Sequence, residues 1–362
     1  MSVITPPQAA LPNRPDNGTD NMFDIGKAFQ RILKDEQISP PIAAILALTE
    51  VVENSDAGTM FELVKALNEG ARTLQKQTFN PIGLNAGCEL FIAFVTLLPH
   101  DSANFADLKR ELIRQGQQYV VEALTYRHKI ADLAVGFMKD GSVILTHSYS
   151  RVVIQTLLLA HKRKRISVFV TEARPRGLGI KTAEALAAEG IPCSVILDAA
   201  VAYVMEKVDF VLVGSEAVVE SGGLVNAVGS NQIAIIAKAA NKPFYALAES
   251  YKFHRLFPLS QYDLPSHNPN IFAFAQPLRP YPRGHTVQNS ASSPDLPHAT
   301  RGNPDEGCIE SLSAVEITQE KIRLNNPDVD YTRPDLISLV FSDVGSLTPE
   351  GVSQYLVGMF AG

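Results

Sequence analysis

The chain has 362 residues, 46% apolar and 19% charged, a balance that excludes a wholly disordered polymer and leaves room for two domains. Its 32 basic and 38 acidic residues give a formal charge of −6, which argues against direct nucleic-acid binding through the phosphate backbone. Three scattered cysteines (Cys88, Cys193, Cys308) fit neither a disulfide framework nor clustered zinc ligands, and no run of 18 apolar residues predicts a membrane span.

The N-terminus has no basic start followed by an apolar core, so it is not read as a signal peptide. With four of the 23 prolines at or before Pro15, residues 1–20 read as a disordered tail. A cytosolic protein in a reducing compartment is the expectation. From 21 to 141 every periodic segment is helical. FDIGKAFQRILKD places Phe23, Ile25, Phe29, Ile32 and Leu33 on one face. Ser39-Pro40-Pro41 opens the next helix with a cap and proline in its first turn. MFELVKALNEGARTLQ, GCELFIAFVTLL and the long amphipathic stretch from Asn104 to Met138 complete an N-terminal helical domain.

From 142 the period changes. Short β-branched runs (SVILTH, ISVFVTEA, PCSVILD, VDFVLVGSE, PFYALAES) alternate with helical segments, the pattern of a parallel sheet covered on both faces. The fold class predicted for 142–362 is α/β: a Rossmann-like, doubly wound parallel sheet following the N-terminal helical subdomain. Between Glu216 and Asn231 the chain reads as a hairpin turning at Ser221-Gly222-Gly223. Nine prolines from Pro258 to Pro304 mark about 264–318 as a mobile insertion, functional or merely tolerated. The tail offers a strand at Leu336–Phe341 and a helix capped by Thr348-Pro349-Glu350.

Ligands of open α/β sheets bind beyond the carboxyl ends of the strands. Those ends carry Thr146-His147-Ser148, Thr171-Glu172-Ala173-Arg174, Asp198, Gly214-Ser215-Glu216 and Glu249-Ser250-Tyr251-Lys252. Singly such residues are caps or turn formers; together they describe a polar pocket. Gly229-Ser230 opens a helix whose free N–H groups can hold a phosphate, although Ser230 can equally be a simple cap. No G-x-G-x-x-G follows a strand and no G-x-x-x-x-G-K-[ST] occurs. His161 to Arg165 reads as a solvated basic helix end. Cys88 and Cys193 read as core residues. No cofactor or metal is expected.

The strand ends also fall into six ordered motifs: T-H-S-Y-S-R (146–151), T-E-A-R-P (171–175), V-E-S-G-G-L-V-N (219–226), A-E-S-Y-K-F-H (248–254), F-P-L-S-Q (257–261) and D-Y-T-x-P (330–334). Over roughly 22–262 and 326–360 the sequence resembles the alpha, regulatory, subunits of eukaryotic translation initiation factor 2B. Their superfamily also contains isomerases of ribose 1,5-bisphosphate and methylthioribose 1-phosphate. By that resemblance the isomerases use a cysteine at the end of the T-H strand and an aspartate in a Gly-Ala-Asp triplet to move protons or hydride between C1 and C2. Here those positions are Ser148 and Glu216. A serine hydroxyl is far less acidic than a thiol of pKa about 8.5. Glutamate displaces the carboxylate by a methylene, and a misplacement of about 1 Å can cost ~100-fold. The isomerases' Arg before Pro-Thr is Asn80 before Pro81-Ile82, and the Lys after their Asn is Ala227. Asn226, Lys252 and the Ala57-Gly58 pair match.

The resemblance therefore implies no catalytic residue and a ligand site for a sugar phosphate or nucleotide monophosphate made of Ala57, Gly58, Asn85, His147, Ser148, Arg174, Glu216, Asn226 and Lys252. It further implies a homodimer that bridges the beta, gamma, delta and epsilon subunits of initiation factor 2B, the guanine-nucleotide exchange factor for initiation factor 2. The implied regulatory partner is the phosphorylated alpha subunit of initiation factor 2, facing the helical half. The alternative is a working sugar-phosphate (aldose-ketose) isomerase.

Overall fold

The computed structural model describes residues 23–78, 81–97, 104–268, 271 and 318–360. The predicted tail at 1–20, Asn80, Cys308 and most of the predicted insertion lie outside the described residues.

Five helices come first: α1 (Ile25–Ile32), α2 (Pro40–Asn54), α3 (Met60–Gln77), α4 (Ile82–Leu97) and α5 (Phe105–Val135). Their starts follow local chemistry. The Asp24 carboxylate accepts from the Gly26 and Lys27 amides before α1, and Thr59 with Glu62 closes a capping box before α3. Helix α2 is apolar on nearly every side because the others pack around it; Ile42, Ile45 and Leu48 meet Leu63, Leu67, Leu74 and Leu112 in one core. Helix α4 begins at Ile82, five residues before its clearest apolar stretch.

Six parallel strands form the main sheet: β1 (Ser142–His147), β2 (Ile166–Thr171), β3 (Cys193–Ile196), β4 (Phe210–Val213), β7 (Phe244–Leu247) and β10 (Leu339–Ser342). The spatial order is β3-β2-β1-β4-β7-β10, with β11 (Gly345–Leu347) antiparallel on the edge. The chain thus runs outward from β1 in one direction, then returns beside it and runs outward in the other. The switch point lies between β1 and β4, where a doubly wound sheet opens its crevice. Helices α6 (Arg151–His161) and α7 (Gly179–Ala188) cover one face, and α9 (Ser230–Ala239) and α11 (Pro349–Phe360) the other, each over its own apolar core. Between β3 and β4 the predicted helix is a short α8 (Val201–Val204) flanked by 3-10 turns.

The predicted hairpin is β5 (Ala217–Val219) and β6 (Leu224–Ala227), but it does not extend the main sheet. It sits in a second, four-stranded sheet of order β8-β5-β6-β9, with β8 (Phe253–His254) and β9 (Val329–Thr332). Its turn requires Gly222: φ is +80°, and a Cβ there would fall 2.2 Å from the Pro349 carbonyl oxygen. The D-Y-T motif is therefore a strand of this sheet, and the last main strand starts at Leu339 because Pro334–Leu336 form a 3-10 turn. Leu264, which the sequence reading placed in the insertion, is buried against Val219, Val225 and Tyr331. A short helix, α10 (Gln319–Asn325), precedes β9.

The two halves share one helix rather than meeting at a linker. Residues Leu108 to Tyr126 of α5 pack in the helical core, while Ile130, Ala134 and Val135 pack against the sheet. Among the described residues no helix is long and apolar enough to cross a membrane.

Candidate functional site

The crevice at the switch point is a cavity of about 520 Å³. Its sheet side is built from the residues after β1 (Tyr149, Ser150, Arg151), after β4 (Ser215, Glu216), at the end of β6 (Asn226) and after β7 (Glu249, Lys252). Its other side is the α1–α2 loop with the start of α2, and Gly83-Leu84 at the start of α4. The approach there is close, since a Cβ on Gly83 would lie 3.0 Å from the Glu216 carbonyl oxygen. The site therefore forms between the two halves.

Glu249 is its electrostatic centre, at 2% exposure. Its Oε1 accepts from the Tyr251 hydroxyl (3.0 Å) and from Arg127 Nε (3.2 Å), 122 residues earlier on α5. Lys252 Nζ stands 2.8 Å from Oε2 in an ion pair and donates to the Ser215 carbonyl, also at 2.8 Å. Burial pushes the Glu249 pKa up, but the Lys252 ammonium and Arg127 guanidinium outweigh it and hold the carboxyl at about 2. Arg127 Nη2 donates to the Gln37 carbonyl (2.9 Å), and Arg151 Nη1 donates to the Glu36 and Ile38 carbonyls. The Ser39 hydroxyl donates to Tyr251 (3.2 Å) rather than capping α2 as its position in the sequence suggested.

Of the residues expected to hold a ligand, Glu216, Asn226 and Lys252 converge on this cavity. Ser148 lies beside it, buried, with φ +61°; among the described residues none accepts a hydrogen bond from its hydroxyl. His147 points the other way along the strand. The Val228 carbonyl can only accept, so Nε2 is protonated at 2.9 Å and Nδ1 accepts from the Thr171 hydroxyl at 2.6 Å. Burial lowers its pKa, so the ring is a neutral, fully used core group.

Arg174 is also elsewhere. Its side chain donates to Gln319 (2.8 Å) in a separate cleft of about 400 Å³ lined by Asp198, whose carboxylate caps the Ala173 and Arg174 amides. The Gly58 amide donates to Glu62, so Ala57-Gly58 belong to the start of α3 and not to the cavity wall. Asn85 sits within α4, also outside the lining, and its Oδ1 has no hydrogen-bond partner among the described residues.

The helix start at Gly229-Ser230 is not an open phosphate cradle. Asp330 Oδ2 accepts from the Gly229 (2.7 Å) and Asn231 (3.0 Å) amides, so an internal carboxylate fills the anion position. Burial raises the Asp330 pKa to about 7. Ser230 donates to the Ala227 carbonyl (2.7 Å) and accepts from the Asn226 amide (2.9 Å), which fixes Asn226 at the cavity wall.

The sequence reading missed Arg127, Arg151 and the α1–α2 loop, together with Arg176 and Lys181 of the lining. One signal was present. Arg151 is the first residue of a helix, where the dipole opposes a cation, so a positive charge there calls for an anion nearby. Arg127 carried no comparable signal, because its partner is remote in sequence.

The model of the initiation factor 2 subunit family matches residues 35–349 of this chain. The chain is 37% identical over 348 residues to translation initiation factor eIF2B subunit alpha of Dictyostelium discoideum, covering 95% of this chain and 99% of that protein. Ribose 1,5-bisphosphate isomerase of Methanocaldococcus jannaschii is 29% identical over 255 residues, 70% of each protein. A chain from the crystal structure of the tetrameric eIF2B-beta2-delta2 complex of C. thermophilum superposes with a TM-score of 0.65 at 18% identity, covering 92% of this chain and 94% of that one, a likeness of fold.

Proposed function

The chain belongs to the initiation factor 2 subunit family, and from that membership we propose that it is the non-catalytic regulatory subunit of the guanine-nucleotide exchange factor for translation initiation factor 2. In this reading two copies form a homodimer in the cytosol and join two sets of beta, gamma, delta and epsilon subunits. The helical half offers surface to the phosphorylated alpha subunit of initiation factor 2. The interdomain cavity takes a sugar phosphate or a nucleotide monophosphate. Nucleotide exchange itself belongs to another subunit.

The observation that carries this reading is the contrast within the site. Asn226 and Lys252, suited to holding a phosphorylated ligand, line the cavity. By the resemblance Ser148 takes the position of the isomerases' thiol, and among the described residues its buried hydroxyl donates no hydrogen bond to a basic side chain. The convergence of Glu216, Asn226 and Lys252 is also the feature that favours the alternative, an aldose-ketose isomerase. An immobilised full-length chain exposed to lysate of its own source is expected to recover the four other exchange-factor subunits in near-equal amounts, read by mass spectrometry. Recovery of none of them would overturn the assignment.

A further inference from the structure

Arg151 occupies an unusual place in the cavity wall. It starts α6, where the helix dipole disfavours a cation, and it is half buried, so that desolvation and the neighbouring Arg127 lower its pKa. Only Nη1 of its guanidinium is engaged, on the Glu36 and Ile38 carbonyls of the α1–α2 loop. Nε and Nη2 make no hydrogen bond among the described residues, and the side chain lines the cavity. A guanidinium carries five N–H donors in one rigid plane, so this one has a free edge.

The lining holds both signs, with Asp35, Glu36, Glu216 and Glu249 beside Arg151, Arg176, Lys181 and Lys252, and what singles out the Arg151 side is its unused donors. Arg127, Arg151 and Lys252 all act on the buried carboxylate of Glu249, which accepts a hydrogen bond from Arg127 and is ion-paired to Lys252. Lys252 donates to the Ser215 carbonyl and pairs with Glu249, and its three-donor ammonium can still serve a ligand. Glu216 lines the same space and suits the hydroxyl groups of a ligand. A phosphomonoester dianion between Lys252 and Arg151 would satisfy the free donors on both walls at once.

We propose that Arg151 is a two-sided clamp: one amino group grips the α1–α2 loop, and its free edge takes the phosphate of a sugar phosphomonoester seated against Lys252, so that the loop stiffens when the cavity is filled. This rests on reading the cavity as a sugar-phosphate site. No existing bond has to break, because the ligand uses donors that the loop does not. Arg127 ties the same loop to Glu249 through Gln37, so a ligand that orders Lys252 and Arg151 restrains the loop from both ends. Occupancy at the sheet thereby reaches the helical half.

Hydrogen exchange by mass spectrometry on the full chain tests this, with ribose 5-phosphate and inorganic phosphate as probes and calorimetry to establish binding. Either probe is expected to slow exchange of the amides in residues 35–38 about threefold or more at saturation. Arg151→Gln is expected to bind about tenfold more weakly, as for a lost charge-assisted hydrogen bond, and to lose the slowing even when saturated. Arg151→Lys restores charge without the fork, and is expected to recover part of the binding but not the loop effect. Binding by wild type with loop exchange unchanged overturns the clamp alone. Slowing by ribose 5-phosphate but not by bound inorganic phosphate assigns the contact to the sugar and overturns it too. If neither probe binds wild type, the sugar-phosphate reading itself fails, and the clamp with it. The wild-type comparison decides even if a variant does not fold.

Discussion

Glu249→Ala is expected to lower the unfolding free energy by about 3–5 kcal/mol and the Tm by roughly 10 °C, the largest stability loss of any single change near the cavity. The reason is the number of groups that depend on one carboxylate. Removing it leaves Arg127 and Lys252 as buried cations without a counter-ion and takes the acceptor from Tyr251. The effect also has a pH signature. The folded Glu249 pKa is held at about 2, below the ordinary glutamate value, so its stabilisation is complete above that ordinary value and fades as pH falls toward 2. Thermal unfolding of both proteins from pH 7 to 2.5 checks it: the gap between them should be constant above pH 5 and should narrow below. A gap that widened in acid would show that Glu249 is not held ionised by its neighbours.

The second large effect concerns binding. Lys252→Ala is expected to weaken ribose 5-phosphate binding by about 30- to 100-fold, as measured by calorimetry. Part of this is a lost charge-assisted hydrogen bond, worth about 1.5–3 kcal/mol. The rest is the less compensated Glu249 carboxylate left facing the anion. Arg174→Ala is the matched control. Its side chain lines the other cleft, so affinity should stay within about twofold. Equal losses in the two variants would contradict the placement of the ligand between Lys252 and Arg151.

The alternation of β-branched runs with helical segments revealed the sheet, and the strand ends revealed Glu216, Asn226 and Lys252. Both signals are local. What escaped was set by direction or distance. His147 is the last residue of its strand and is held by Thr171 and the Val228 carbonyl, so it serves the core, while Ser148 lies beyond the strand in a left-handed turn. The helix start at Gly229 looked like a phosphate cradle because Asp330, which fills it, arrives about a hundred residues later. Arg174 follows a strand end of the same sheet, yet that end opens on the cleft by Asp198. The Arg127–Glu249 pair spans 122 residues and two halves of the molecule, and nothing in either segment alone announces the other. The second sheet was hidden for a further reason: its strands are two to four residues long, too short to show a period.

A family member that keeps a phosphorylated-ligand site without its chemistry, as proposed above, should not convert the isomerases' substrates. Turnover of ribose 1,5-bisphosphate and methylthioribose 1-phosphate by the purified full chain at high enzyme concentration, with the ketose product measured by mass spectrometry, decides it. The expected result is no product above the uncatalysed background. Product formation that Ser148→Ala abolishes would make the chain an isomerase and overturn the regulatory assignment.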